Sequence, residues 1–157
     1  MAETTTTIQV SRESAASLRS IYPNLTYDEI VQRLVSQDLV TPDTRVLEFS
    51  KLIKPSYQDE QKRQPGYKGL ITAILMHFPT GTCGLVEVRV VKRSHGGGQE
   101  YLAPSLEDSF IALDDTEFTS GPLSIPVESR DTIRVEWYNY DGGFAHTVPV
   151  FVLVNKV

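Results

Sequence analysis

Cysteine is almost missing: Cys83 is the only one in 157 residues. That excludes an intrachain disulfide framework, and a single free cysteine reads as a small turn or core residue rather than a nucleophile. Long apolar runs are missing too. None approaches the ~20 residues of a membrane-spanning helix, and the opening MAETTTTIQV lacks the basic and apolar regions of a signal peptide. A soluble product of cytoplasmic synthesis with no membrane contact is expected. Positive charge is scarce, with 15 Lys and Arg against 20 Asp and Glu and a net charge of −5. Residues 1–40 hold three arginines against five acids, and no segment carries the basic stripe that phosphate neutralisation needs. The three histidines, His77, His95 and His146, form no HxH or HExxH and no cysteine pair at ligand spacing, so no zinc motif is present. Phosphate-loop and Gly-x-Ser-x-Gly patterns are missing as well. With nothing to support catalysis, the expectation is a protein that is not an enzyme and uses no cofactor.

What remains is a globular composition, 40% apolar and 22% charged, enough to bury a core. Alternation dominates the C-terminal half. Ile133, Val135 and Trp137 alternate with Arg134, Glu136 and Tyr138, the period of a strand buried on one face. Asp141-Gly142-Gly143 follows as a turn, then an apolar run over 148–154. Read together, 131–154 is expected to be a hairpin at the centre of a β-sandwich. Val148, Val150, Val152 and Val154 would meet one layer, while Phe151 and Leu153 would need another element of this chain or a neighbouring subunit.

Upstream, 70–78 and 85–93 read as strands, and three shorter ones are expected at 101–102, 110–113 and 123–127, separated by turn residues. The short strands at turn spacings of about 8–12 residues indicate a sandwich of the jelly-roll or immunoglobulin-like kind over 69–157. Residues 41–68 read as a linker: 45–53 as a possible edge strand, and PSYQDEQKRQPG over 55–66 as a long exposed loop. Residues 1–40 form a separate module. A Thr-rich strand over 4–10 precedes a helix over 12–21 capped by Ser11, with Ala15, Leu18 and Tyr22 on one face. A second helix starts at the capping box Thr26-Tyr27-Asp28-Glu29, with Tyr27, Ile30, Val31 and Leu34 on one side. The expected fold class is α+β overall: a strand-helix-helix module followed by an all-β sandwich.

Through TTIQVS, RESAASLRSIYP and NLTYDEIVQRLV, residues 4–36 resemble the ribbon-helix-helix family, particularly its antitoxin-like members common in archaea. The resemblance implies a dimer whose strands pair into a ribbon, with Thr5, Thr7 and Gln9 facing the DNA major groove and the amides near Thr26 and Tyr27 holding a phosphate. The outward strand residues are Thr, Thr and Gln where DNA-binding members carry Lys or Arg, so charge disfavours DNA and a dimerisation clasp is the other reading. The stretch 70–154 resembles, in architecture alone, small sandwiches of viral and phage structural proteins.

These observations converge on a homo-oligomeric assembly protein, a virion or virus-like component, that pairs with itself and with other particle or capsid proteins. Its expected contact residues are Ile8, Val10, Leu18, Ile30, Leu34, Val148, Val150, Phe151, Val152 and Leu153. The alternative is a ribbon-helix-helix DNA-binding regulator whose sandwich senses a ligand or partner. A third reading is a carbohydrate- or surface-binding sandwich with Trp137, Tyr138 and Tyr140 as stacking residues. Asp114, Asp115 and Glu117 are a calcium candidate in an inter-strand loop, although adjacent aspartates also form turns. Asp141 and His146 bracket a turn in which carboxylate and imidazole could meet.

Overall fold

Val, Ile, Thr and aromatic residues at every second position favour a pleated, half-buried backbone, and the chain follows that preference throughout 43–157, the residues described by the computed structural model. The strands are β1 (Thr44–Phe49), β2 (Leu52–Ile53), β3 (Tyr57–Arg63), β4 (Gly69–Phe78), β5 (Val86–Arg93), β6 (Gln99–Ala103), β7 (Thr116–Thr119), β8 (Ile125–Val127), β9 (Thr132–Asn139), β10 (His146–Thr147) and β11 (Val150–Lys156). Two antiparallel sheets form a sandwich of jelly-roll-like character. One has the order β1-β11-β4-β7, with β8 sharing the far edge of β4; the other has the order β3-β9-β5-β6; a short β2–β10 ribbon sits at one end.

The expected α+β class is therefore corrected: the described residues are all-β, without a helix. The two helices that carried the α component fall within 1–42, outside the described residues, as do Thr5, Thr7, Ile8, Gln9, Val10, Leu18, Thr26, Tyr27, Ile30 and Leu34.

The core lies between the sheets. Leu47 and Phe49 of β1, Ile71, Ile74, Met76 and Phe78 of β4, and Val150, Val152 and Val154 of β11 face Val86, Val88 and Val90 of β5 and Ile133, Val135 and Trp137 of β9. Trp137 is fully buried, and its indole N–H donates to the Val148 carbonyl at 2.9 Å. A buried polar hydrogen thereby gains the partner that burial requires. Gly69 is fixed by close approach: a Cβ there would stand 2.3 Å from the Asn155 carbonyl oxygen.

Three local expectations give way. The 131–154 stretch is not a hairpin, because β9 and β11 belong to opposite sheets. After Asn139 the chain turns over the end of the sandwich, pairs briefly through β10 with β2, and enters the other sheet between β1 and β4. Crossing over is how both strands offer one face to a shared core. The polar stretch 55–66 is not a loop. Its centre is β3, paired with β9 from Tyr57↔Asn139 to Arg63↔Ile133, so 43–68 contributes strands to both sheets, β1 at the edge of one and β3 at the edge of the other. An edge strand exposed on both sides needs no apolar alternation, and its charges discourage pairing with another chain. Of the short strands, 110–113 reduces to a single bridge between Ile111 and Val88, while Glu117 falls inside β7.

Candidate functional site

The end of the sandwich where the chain crosses between sheets is built on Asn139. This residue is in phase with Ile133, Val135 and Trp137, so its amide points inward and is buried. Its Nδ2 donates to the carbonyls of Ile53 (3.2 Å), Lys54 (3.2 Å) and Phe144 (2.9 Å), and its Oδ1 accepts from the Asp141 N–H at 2.9 Å. One side chain thus ties the β2–β3 connection to the 140–145 loop. A polar residue in the apolar phase of a strand was the available signal for this hub, and sequence reasoning passed over it.

Asp141 organises the loop that follows. Its Oδ1 accepts from the N–H groups of Gly143 (2.8 Å) and Phe144 (3.1 Å), while its Oδ2 lies 2.8 Å from His146 Nε2. Carboxylate and imidazole do meet. The His146 contact, reinforced by those two amides, holds the Asp141 pKa below the usual carboxylate value. The Ser56 N–H donates to the Asp141 carbonyl (3.0 Å), and the Tyr140 N–H to the Leu85 carbonyl (2.8 Å). Both oxygens of Asp141 are thus occupied by the turn, and its pairing with His146 serves to brace the loop.

On this braced frame the chain presents apolar groups to solvent. Phe144 is 72% exposed, Leu52 63%, Tyr140 61%, Tyr57 55% and Leu85 41%, five of the seven large apolar side chains exposed among the described residues. Register places them together: Tyr57 pairs with Asn139, Leu52 with Thr147, and Leu85 precedes Val86, the other partner of Asn139. Glu87 lies beside Tyr140, and its charge raises the phenol pKa. Apolar side chains concentrated at one end of a molecule, on strand ends and loops held rigid from beneath, have the character of a contact surface.

The remaining candidates separate. Val148, Val150 and Val152 have no exposure and face the core, so as folded they cannot reach another chain, which corrects their place among the contact residues. Phe151 and Leu153 face away from the core yet are each 2% exposed. Asp114 is a turn hub: its Oδ1 accepts from Gly81 N–H (3.0 Å), Thr82 Oγ1 (3.1 Å) and Cys83 N–H (2.9 Å), while Thr80 Oγ1 donates to Asp115 Oδ1 at 2.6 Å. Those donors, the Cys83 amide foremost, lower the Asp114 pKa. Glu117 stands apart on β7 opposite His77. Among the described residues no three His, Cys, Asp or Glu side chains converge as a metal site would require. His77 faces outward on β4, its Nδ1 buried and without a hydrogen-bond partner. Of the proposed stacking residues, Trp137 is core, Tyr138 packs edge-on against Phe110 at 5.0 Å, and only Tyr140 is open.

The outer face of the second sheet is ionic. Arg89 hydrogen-bonds Glu136, which also pairs with Arg134 at 2.8 Å, and the Arg89 guanidinium lies over the rings of Phe110 (4.6 Å) and Tyr101 (5.4 Å). Burial alone would lower the Arg89 pKa, but the bond and charge of Glu136 outweigh it and hold it above its ordinary value. Its charges are neutralised in place, so this face offers no free cationic patch to a nucleic acid.

No protein-family model matches the sequence, and no curated protein matches it either. Solved structures show partial similarity to it. The Yersinia pseudotuberculosis-derived mitogen is 7% identical, with a TM-score of 0.45 over 72% of this chain and 86% of that one. The serine protease of Aeromonas sobria is 9% identical, with a TM-score of 0.35 over 82% of this chain and 30% of its own. A chain of the infectious bursal disease virus Gx strain is 9% identical, with a TM-score of 0.29 over 71% of this chain and 32% of its own.

Proposed function

We propose that this protein is a non-enzymatic assembly subunit that joins further copies of itself through the aromatic end of the sandwich. The exposed cluster of Leu52, Tyr57, Leu85, Tyr140 and Phe144 carries the reading. Aromatic side chains bury much area at little entropic cost, and centrally placed aromatics dominate contact energies. Asn139 and Asp141 preorganise the loop, which reduces the ordering cost of association. The contact is thus assigned to the strand ends and loops of this end, and the valines of the strand that the sequence suggested serve as core. A closed particle of many copies, such as a virion-like shell, is the assembly such a subunit would build.

Sedimentation velocity at micromolar concentration tests the proposal. The native chain should sediment as an oligomer, and the double variant Tyr140→Ser, Phe144→Ser should sediment as a monomer with an unchanged circular dichroism spectrum. A native chain that is monomeric at all concentrations, or a double variant that still assembles, would remove the reading.

A further inference from the structure

The two ends of the sandwich expose different chemistry. β5 and β9 run antiparallel, with Val86 opposite Asn139 at the aromatic end and Arg93 opposite Thr132 at the other. Seven residue steps of β9 separate the two ends, roughly 23 Å at ~3.3 Å each. At the far end the β5–β6 hairpin tip and the β8–β9 turn enclose an open groove of about 390 Å³, with Ser94, His95 and Gly96 on one side and residues 128–131 on the other. Asp131 holds the two sides together. It is 5% exposed, its Oδ1 accepts from the His95 N–H (3.0 Å) and its Oδ2 from the Glu128 N–H (2.9 Å). The hairpin tip is closed by the Ser94 N–H on the Gly98 carbonyl (2.8 Å), and the turn by the Asp131 N–H on the Glu128 carbonyl (3.0 Å).

The acids of this groove are committed and its cations are not. Asp131 is occupied by the two amides, and Glu128 pairs with Lys68 at 3.2 Å. Arg130 in the groove and Arg93 beside it are exposed, and neither enters an ion pair among the described residues. At the aromatic end Glu87 lies beside the Tyr140 phenol and pairs with no cation among the described residues. The chain already joins these three groups elsewhere: Arg89 hydrogen-bonds Glu136 and lies over the rings of Phe110 and Tyr101.

We infer that the groove of one copy receives Tyr140 and Phe144 of the next, with Glu87 meeting Arg93 and Arg130 of the receiving copy. This rests on the aromatic end being the contact surface and adds what that surface binds. A cavity of about 150 Å³ holds a benzene ring, so the groove has room for an aromatic side chain. A guanidinium against an aromatic face is attractive, more so once water is excluded, and opposed charges fix the register of the contact. Two aromatic ends meeting each other would leave the groove unused and bring two Glu87 carboxylates into one contact. Because donor and receiver are different surfaces, the contact is head-to-tail, and the series closes into a ring where the rotation between copies permits.

Sedimentation velocity of two variants, alone and mixed, tests this. Arg93→Glu, Arg130→Glu changes the groove end and keeps the aromatic end; Tyr140→Ser, Phe144→Ser does the reverse. Each alone should sediment as a monomer at micromolar concentration, the charge reversal weakening association by about 100-fold. An equimolar mixture should give a dimer and nothing larger, since each variant retains one intact end. A groove variant that assembles as the native chain does, or a mixture that stays monomeric, overturns the inference while leaving the aromatic contact standing. A native chain that is monomeric removes both. Should the charge-reversed chain lose its native circular dichroism spectrum, a benzophenone side chain at position 144 of the otherwise native chain decides. Isotope-mixed chains should give links from 144 to 94–96 or 128–131 of another molecule, and links between molecules that end anywhere else, or none at all, refute it.

Discussion

Replacing Asn139 by alanine should cost far more than the loss of one side-chain amide, because four backbone groups rely on it. Of the three carbonyls that accept from Nδ2, those of Lys54 and Phe144 belong to exposed residues and can turn to water, whereas that of Ile53 belongs to a fully buried one. An unpaired buried carbonyl costs about 1–3 kcal/mol, and each hydrogen bond exchanged for water roughly 0.5–1.5 kcal/mol. Allowing for solvent recovery at two of the sites, Asn139→Ala should destabilise the protein by about 2–4 kcal/mol. At ~4 °C per kcal/mol for a domain of this size, the melting temperature should fall by roughly 8–16 °C. Urea denaturation gives the free energy, and hydrogen exchange gives the place. Amides of 53–57 and 140–147 should lose protection first, while those of β4 should follow only the global change. Asn139→Asp is the informative companion: it keeps the acceptor for the Asp141 N–H, removes the donors, and places a charge where burial penalises it, so it should be at least as damaging. A loss below 0.5 kcal/mol for Asn139→Ala, or exchange that rises evenly over the sandwich, would refute the claim that this amide pins the crossing.

Other outcomes follow from the same structure. Gly69→Ala should destabilise by about 1–3 kcal/mol in thermal melts, since the new Cβ meets the Asn155 carbonyl, which belongs to the backbone and cannot swing aside; an unchanged melting temperature would contradict the close packing of β4 on β11. Asp141 has a folded-state pKa below its ordinary value near 3.8, so its stabilising effect is present above that value and is lost as pH falls through the lower folded value. Resonances of the 140–147 amides should therefore move cooperatively below about pH 3.8, and Asp141→Asn should abolish that transition. Asp114→Ala should raise hydrogen exchange at the amides of Gly81 and Cys83 while leaving the 140–147 loop unchanged, because its acceptor oxygen serves the 79–84 turn alone.

Strand existence was readable in the sequence wherever a strand has one buried side. Val86, Val88 and Val90, like Ile133, Val135 and Trp137, announce themselves by period. Partnership was not readable. The Asp141-Gly142-Gly143 run has the composition of a hairpin turn, and only the three-dimensional role of Asn139 shows why the chain passes over the end instead of folding back. β3 escaped notice because YQDEQKR has no apolar side to display; its place is set by ladder bonds to β9, which leave no trace in composition. The apolar positions of β11 were identified, but periodicity reports that both sides are covered without saying by what. For the candidate site, the Asp141 and His146 meeting was anticipated from turn chemistry. The aromatic cluster was not, since Leu52, Tyr57, Leu85 and Phe144 come from three separate stretches that only the sandwich brings to one end.

β11 follows every other described strand in the chain, yet it lies between β1 and β4 in its sheet. During synthesis the segments on either side of it must wait, with an empty slot between them, until residues 150–156 have left the ribosome. The first sheet cannot be laid down progressively. It closes in one late step around pairings that span about a hundred residues of sequence, such as Thr44 with Asn155, and such distant closures are slow. Nascent chains halted before residue 150 should consequently remain sensitive to protease along 44–78, however long they are given to mature.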